Sequence, residues 1–527
     1  AQVAAASSDP LRVHTNIAYF DGLGRPMQNL QVFGSPTMRD IVTPMAYDAF
    51  GREATKYLPY AAQTGANASY RTAAVADQLD FHHPGGTGNS GDQLAAGHVR
   101  NPHPYSLTVF EPSPLNRVMK QGAPGTAWQP TAGTADDHSV KTGYGTNAAG
   151  EVKLWTVNGT DNGAVASTYL GGRLYKHTIR DENWQSSDGN AGIIEEFKDF
   201  EGRVVLKRNW ETNSKSLSTY YVYDALGNLR YVLPPAVNEN GQDIGSFDET
   251  QVVFDNFIYG YHYDGLRRLV EKKVPGKGWE YMVYNKLDQL VYSQDANQRS
   301  LQQWSWTKYD ALGRVVLTGL ENNNAMGRLT LQNDYINTYQ GVLWEERTGT
   351  RSDGYTVRTH PMAGEENGNI VYLTVNFYDD YGFPGNVFGG PTGAQSQMVR
   401  GLATGSLTRI LGSSMMLLGV SYYDDYGRVV QSRVQNHLGG TDVVDNSYSF
   451  DGLLQSSTRS HTANGATTTI ADTYTYDHMG RKRANSQSIN GVAATQLSEH
   501  IYNEIGQLRE KKLHNGMQTT GYAYNER

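Results

Sequence analysis

Aspartate is the residue in this sequence whose placement most suggests chemistry, because it returns at a fixed position in a recurring motif. The motif is Tyr or Phe, then Asp or Asn, two variable residues, and usually Gly followed by Arg, Gln or Asn. Clear copies carry Tyr47, Asp48, Gly51 and Arg52; Tyr223, Asp224 and Gly227; Tyr309, Asp310, Gly313 and Arg314. Others carry Tyr423, Asp424, Gly427 and Arg428; Tyr476, Asp477, Gly480 and Arg481; Tyr502, Asn503 and Gly506. An early copy runs from Phe20 through Asp21 and Gly24 to Arg25, and Tyr263-Asp264, Tyr284-Asn285 and Tyr378-Asp379 open looser ones. Repeated carboxylates invite an acid–base reading. The fixed Asp-to-Gly spacing suits a turn better: Asp at its first position accepts backbone N–H groups, and Gly at its last tolerates positive φ.

Histidines offer a second chemistry. His82, His83, His98 and His103 lie close together, as metal ligands do. They sit in Gly/Pro-rich sequence without an i, i+4 pair or an ordered carboxylate to orient them, so no metal site is expected. Gly86 to Gly91 spells G-x-G-x-x-G but follows Pro84-Gly85, not a strand, which removes the context a dinucleotide loop needs. Asn158 to Gly163 starts like a calcium loop, yet Tyr169 occupies the place of the closing Glu. No G-x-S-x-G, H-E-x-x-H or Walker loop is present. The expectation is a protein that is not an enzyme and uses no cofactor.

The elements that position these residues read as strands. In Asp472 to Asp477, Tyr474 and Tyr476 are two residues apart, so both rings share one face of a strand. The pairs Tyr221/Tyr223, Tyr261/Tyr263, Tyr448/Phe450 and Tyr522/Tyr524 repeat that spacing. After the turn the chain returns as Arg203-Val204-Val205-Leu206 or Arg314-Val315-Val316-Leu317. Each unit is thus a bulged hairpin. It is too small to stand alone, so neighbours must pair to bury its aromatic face. The Arg after the Gly is expected to lie over a tyrosine ring of the next hairpin.

Composition agrees. Only 38% of the 527 residues are hydrophobic, while Tyr supplies 35 and Gly 57. Burial must therefore lean on tyrosine, which fits a pleated surface. Mean hydropathy is −0.57, but 11% aromatic content argues against disorder. A net charge of −8 without long basic runs disfavours capture of nucleic acid or anionic membrane. With zero cysteines, neither disulfides nor thiolate metal sites contribute. No stretch approaches the ~20 apolar residues of a membrane helix; the run near Ile410 to Val420 is short and broken. Ala1-Gln2-Val3-Ala4 lacks a basic-then-apolar leader, so any signal peptide is expected to be removed or upstream.

The sequence divides into an N-terminal segment with two units (1–60), an irregular Gly/Ala/Thr/His-rich region (61–196) and an array (197–527) with insertions at about 321–376 and 385–420. The array recurs at roughly 25 residues, room for two strands and two turns. Phe110 to Arg117 has the outline of a unit with prolines in its turn. Asn322 to Asn324 and Gly364 to Gly368 look like loops, and Ser406 to Leu411 is predicted as a short helix.

These copies resemble the YD repeats of the Rhs and teneurin superfamily. Asn16 to Gln28, with Tyr47 to Glu53 and Tyr57 to Tyr60, is similar to the N-terminal region of large Rhs proteins of Bacteroidetes-type bacteria. The resemblance implies an all-β array of YD-repeat hairpins forming a curved or spiralling, partial β-sheet shell, with a less regular N-terminal region. In such families the shell encloses a C-terminal toxic domain or belongs to an adhesion ectodomain. The Tyr-Gly-Ala-Arg-Phe-Tyr-Asp core and the self-cleaving Asp-Pro-x-Gly of the toxin arrangement are not found, and the chain stops inside another repeat at Tyr524-Asn525. It therefore looks like part of a longer polypeptide. The expected role is a structural shell segment of a secreted protein that encloses or presents an effector domain lying outside this chain. The alternative is a cell-surface adhesion module binding glycan or protein. Expected partners are the rest of its own chain, other proteins at strand edges and possible glycan, with no nucleic acid and no membrane insertion. The resemblance implies export to the outer surface of a Gram-negative bacterium, by type IX secretion.

Overall fold

The computed structural model describes residues 13–63, 65–84, 100–160, 162–238, 244–334, 339–362, 368–393 and 395–525. Gly86 to Gly91, His98 and most of Gly364 to Gly368 lie outside these residues, as does Asp161 of the calcium-like stretch. Among the described residues the architecture is one antiparallel strip: thirty strands belong to a single sheet, most paired with their neighbours along the chain, and three more make a small side sheet. It is all-β in substance, with only short helices at its margins.

The hairpins follow from their turns. Strand Ser216–Tyr223 pairs with Leu229–Leu233, and the register slips at Tyr223. The same slip falls at Tyr284, Tyr309, Tyr423, Tyr476 and Tyr502. This is a type I turn closed by a left-handed residue, which adds one residue to one strand and tightens the local twist. A long run of like-handed bulges curls the strip instead of leaving it flat.

Where the chain leaves the ladder it supplies the core. Trp155, Ala164 and Leu174 from one excursion, and Val237, Phe247 and Phe254 from another, pack on Phe197, Leu206, Tyr231 and Leu233 of the strip. Further on, Leu331, Tyr355 and Phe383 cover Trp304, Trp306, Val316, Val375 and Phe377. Phe377 and Phe383 stack with centroids 4.2 Å apart. Each such ring contributes about 1.5–3 kcal/mol by leaving water. Near the start, helix Ala74–His82 lays Ala74 and Phe81 against Leu30, Val42 and Tyr60. Beyond Tyr423 no apolar side chain of the described residues is fully buried. The strip there is a single layer held by cross-strand pairs such as Ser447–Ser456 at 2.8 Å.

Five expectations need correction. Ser406 to Leu411 is not a helix: strand Ala403–Arg409 occupies it, because Thr404 and Gly405 are buried and Gly405 lets the Phe383 ring approach the backbone. The 385–420 insertion is instead an excursion over 379–402, with strands Ala403–Arg409 and Met416–Tyr423 in the ladder. Likewise Ile370–Tyr378 belongs to the ladder, so the earlier excursion ends at 369. Region 61–196 is not irregular throughout: Tyr105–Phe110, Val118–Gln121, Val140–Thr146 and Tyr175–Arg180 run in the main sheet. Their faces carry Thr, Lys and Gly, which weakens the alternation in sequence. Finally, Phe450 is not a strand partner of Tyr448. The turn begins at Ser449, whose N–H donates to the Leu453 carbonyl at 2.8 Å, and Phe450 projects into solvent, 91% exposed.

Candidate functional site

The repeated residues assemble into one brace, built the same way at most hairpins; at Tyr378 the chain leaves on an excursion, and Asp379 instead accepts from Arg314 and the Gly401 N–H. In the unit at Asp310, its N–H donates to the Arg314 carbonyl at 3.0 Å and the Gly313 N–H returns to the Asp310 carbonyl at 3.0 Å. Gly313 has φ 77°, and Gly24, Gly51, Gly227, Gly427, Gly480 and Gly506 lie between 75° and 83°. The looser units place Arg267 and Asp288 in that left-handed region, a conformation that costs a non-glycine residue about 1–2 kcal/mol.

The aspartates are consumed by this turn. Asp310 Oδ1 accepts the N–H groups of Leu312 and Arg314, both at 2.9 Å, while Oδ2 takes Arg314 Nε at 2.6 Å. Asp21, Asp48, Asp224, Asp424 and Asp477 repeat the two backbone bonds. The Arg25 and Arg52 backbone N–H groups are the leading cause that holds the Asp21 and Asp48 carboxyls below the ordinary range. At Asp264 and Asp424 burial opposes the charge, but the Arg268 and Arg428 contacts outweigh it and the pKa falls. A carboxylate locked in this way is a poor proton shuttle. At the Phe110 unit Glu111 stands in for Asp, chelating Arg117 at 2.6 and 2.9 Å, and these bonds hold its pKa at about 2.

The brace also couples partners in the chain that were not read as pairs. Asp goes with Arg in most copies, but Asn285 donates to Gln289 Oε1 at 2.8 Å and Asn503 to Gln507 Oε1 at 2.9 Å. Asp224 takes Asn228 Nδ2 at 2.9 Å. Apart from the Asp224–Asn228 turn, acid is matched with base and amide with amide, a signal present in the sequence as co-occurrence at positions one and five of the turn.

Each turn then grips the next hairpin. The guanidinium of Arg25 lies 4.5 Å from the Tyr47 ring centre, Arg203 5.2 Å from Tyr223, Arg314 4.4 Å from Tyr378, and Arg481 5.4 Å from Tyr502. Arg52 covers Phe110 at 4.4 Å, which carries the pattern into the region between the first units and the array. The tyrosine hydroxyl was missed by sequence reasoning. It donates to the first carbonyl of the previous hairpin's returning strand: Tyr47 to Pro26 at 2.8 Å, Tyr223 to Val204 at 3.1 Å, Tyr309 to Leu290 at 2.8 Å. Tyr423, Tyr476 and Tyr502 do the same to Ala403, Leu454 and Lys482. The motif tyrosine therefore packs, stacks and satisfies a carbonyl at once.

Some braces meet residues far away in sequence. Arg481 Nη1 donates to the Gly34 carbonyl at 3.1 Å, and His478 Nε2 to the Phe33 carbonyl at 2.6 Å. His14 Nε2 donates to the His478 carbonyl at 2.7 Å, and Thr37 Oγ1 to Glu504 at 2.7 Å. Ile505 packs against the cluster of Leu30, Val42 and Tyr60. The motif-bearing turns of the last hairpins thus sit on the connection 32–40, which lies at the opposite end of the early strands. Among the described residues no strand pairs across this seam, so the strip spirals and does not close as a barrel. About two dozen strands separate the two sides. At ~4.8 Å per strand the wall travels roughly 115 Å per turn, a ring on the order of 35 Å across.

Elsewhere, polar groups cluster as ties between excursions and strip. Buried Glu345 accepts from Lys308, Thr356, Arg358 and Thr359; burial opposes its charge, yet these donors keep its pKa below the usual value. His262 bridges Glu249 at 2.8 Å and Glu271 at 2.7 Å while stacking on Trp279. His82 contacts the Pro59 carbonyl and His103 Thr126, and no group of three metal-ligating side chains exists among the described residues.

The repeated brace and the seam define a repetitive β-strip wound into a spiral. Residues 1–142 match the model of a family described as a domain of unknown function, DUF6443. No curated protein matches the chain. Among solved structures, TcdB2-TccC3-TEV aligns over 97% of this chain and 23% of its own, with 12% identity and a TM-score of 0.36. TcdB2-TccC3 without its hypervariable C-terminal region gives the same coverage and identity at 0.38. A Photorhabdus luminescens Tc holotoxin pore gives 97% and 29% coverage, 11% identity and 0.34. The chain spans about a quarter of the length of these structures.

Proposed function

We propose that this chain is a stretch of wall in an exported Rhs-type, YD-repeat shell that encloses or presents an effector domain carried elsewhere on a longer polypeptide. The observation that carries this reading is the seam, where His478 and Arg481 of a late turn bind backbone carbonyls of the 32–40 connection. A strip that stacks turn on turn encloses space, and its recurring Asp, Arg and Tyr residues are occupied in holding it together. Its partners in this reading are the remainder of its own chain and proteins that pair with open strand edges, since an unpaired edge must be covered. Export to the outer surface of a Gram-negative bacterium, by the type IX route, completes the proposal. Limited proteolysis of the natural full-length polypeptide tests it. The effector segment should resist protease while the wall is intact and become sensitive once the wall is unfolded; equal sensitivity in both states would sink the enclosure reading. Fractionation of the source cells tests export, which a purely cytoplasmic protein would contradict.

A further inference from the structure

A crevice of about 120 Å³ lies between two consecutive braces, under the hairpin of strands Lys153–Val157 and Ala164–Thr168. Its walls are aromatic: Trp155 and Tyr169 from the hairpin side, Tyr221 and Tyr223 from the strip. Three donors around it are unused. The Trp155 indole N–H is buried, on a side chain 7% exposed, and has no hydrogen-bond partner. The hydroxyls of Tyr169 and Tyr221 make no hydrogen bond among the described residues either, whereas the motif hydroxyl of Tyr223 beside them is engaged by Val204.

Charge in the crevice is balanced. Asp199 and Asp224 are held by their own turns, Asp224 with one of about four acceptor sites left over, and Arg203 and Lys153 bring the matching positive charge. Balanced charge favours a neutral polyhydroxylated ligand over an anion or cation. Flat aromatic faces suit the apolar C–H side of a sugar ring, and convergent donors and acceptors suit its hydroxyls. We propose that this crevice binds one neutral pyranose unit of a glycan, with Tyr169 and Tyr221 as stacking faces and their free hydroxyls, with Arg203, as hydroxyl partners. The site stands apart from the wall-segment reading and survives its failure.

Saturation-transfer NMR on the 527-residue chain tests this, using methyl glycosides of glucose, galactose, mannose and N-acetylglucosamine at millimolar concentration. The expected result is transfer to at least one glycoside, weakened ~10-fold or more in Tyr169→Ala and several-fold in Tyr169→Phe, which deletes only the free hydroxyl. Tyr426→Ala, on a solvent-exposed turn of another unit, should bind as the parent does. Silence across the panel in tens of millimolar glycoside overturns the proposal. So does transfer that survives Tyr169→Ala in a chain with unchanged circular dichroism.

Discussion

The pairing of turn positions one and five makes a quantitative prediction at Asp424 and Arg428. Asp424 Oδ1 accepts from Tyr426 and Arg428 backbone N–H at 2.9 Å, and Oδ2 takes Arg428 Nε at 2.6 Å. Arg428 continues to the Ser449 carbonyl at 3.0 Å and lies 5.0 Å from the Tyr448 ring centre. In Asp424→Asn, Oδ1 keeps its two bonds while Nδ2 faces another donor, so a charge-assisted hydrogen bond is lost at about 2 kcal/mol. Arg428→Gln loses the ring contact and the Ser449 bond, again about 2 kcal/mol. The double variant recreates the amide pair of Asn503 and Gln507 and should cost about 2–2.5 kcal/mol, not the sum. The assay is native-state hydrogen exchange of peptides containing Gly427, whose N–H donates to the Asp424 carbonyl at 3.0 Å. Additivity within ~0.5 kcal/mol would refute matched pairing.

Other expectations follow from the same geometry. Tyr476→Phe removes the donor to Leu454 and should cost ~1 kcal/mol of local stability by hydrogen exchange, whereas Tyr474→Phe, whose hydroxyl has no hydrogen bond among the described residues, should be near neutral. Lys308→Met strands the Glu345 carboxylate in the core and should destabilise the 322–369 excursion by ~3–5 kcal/mol, read by exchange of its peptides. At His262 burial disfavours the charge, but Glu249 and Glu271 outweigh it and push the pKa up to about 9. A raised folded pKa gives stabilisation that is complete below the free value of 6.5 and lost as pH rises through about 9. Denaturation midpoints should therefore fall across that window in the parent and stay flatter in His262→Gln.

Much of the fold is legible because the turn signal is local. Asp21, Gly24 and Arg25 act within five residues, so their spacing alone encodes the hairpin. Region 61–196 looks irregular in sequence because its strands between 105 and 180 carry Lys120, Lys141 and Gly143 instead of alternating apolar residues, while Arg52 over Phe110 and Glu111 with Arg117 maintain the same brace. Strand Ala403–Arg409 was hidden because its small residues are explained only by the Phe383 ring above Gly405. The tyrosine hydroxyl's carbonyl lies about 20 residues upstream in most units, beyond any local pattern. Nothing in sequence spacing joins His478 to Phe33, since that contact depends on the pitch accumulated over the whole strip.

The seam is the most direct test of the spiral. The chain has zero cysteines, so Thr37→Cys with Glu504→Cys places one reporter pair where Thr37 Oγ1 and Glu504 Oε2 are 2.7 Å apart. Reaction of the monomeric double variant with a short bifunctional maleimide should give efficient intramolecular cross-linking between peptides around 37 and 504, and neither single variant should. Failure to cross-link in the folded monomer, or a spin-label distance across the pair of several tens of ångströms, would contradict a strip that winds back onto its own beginning.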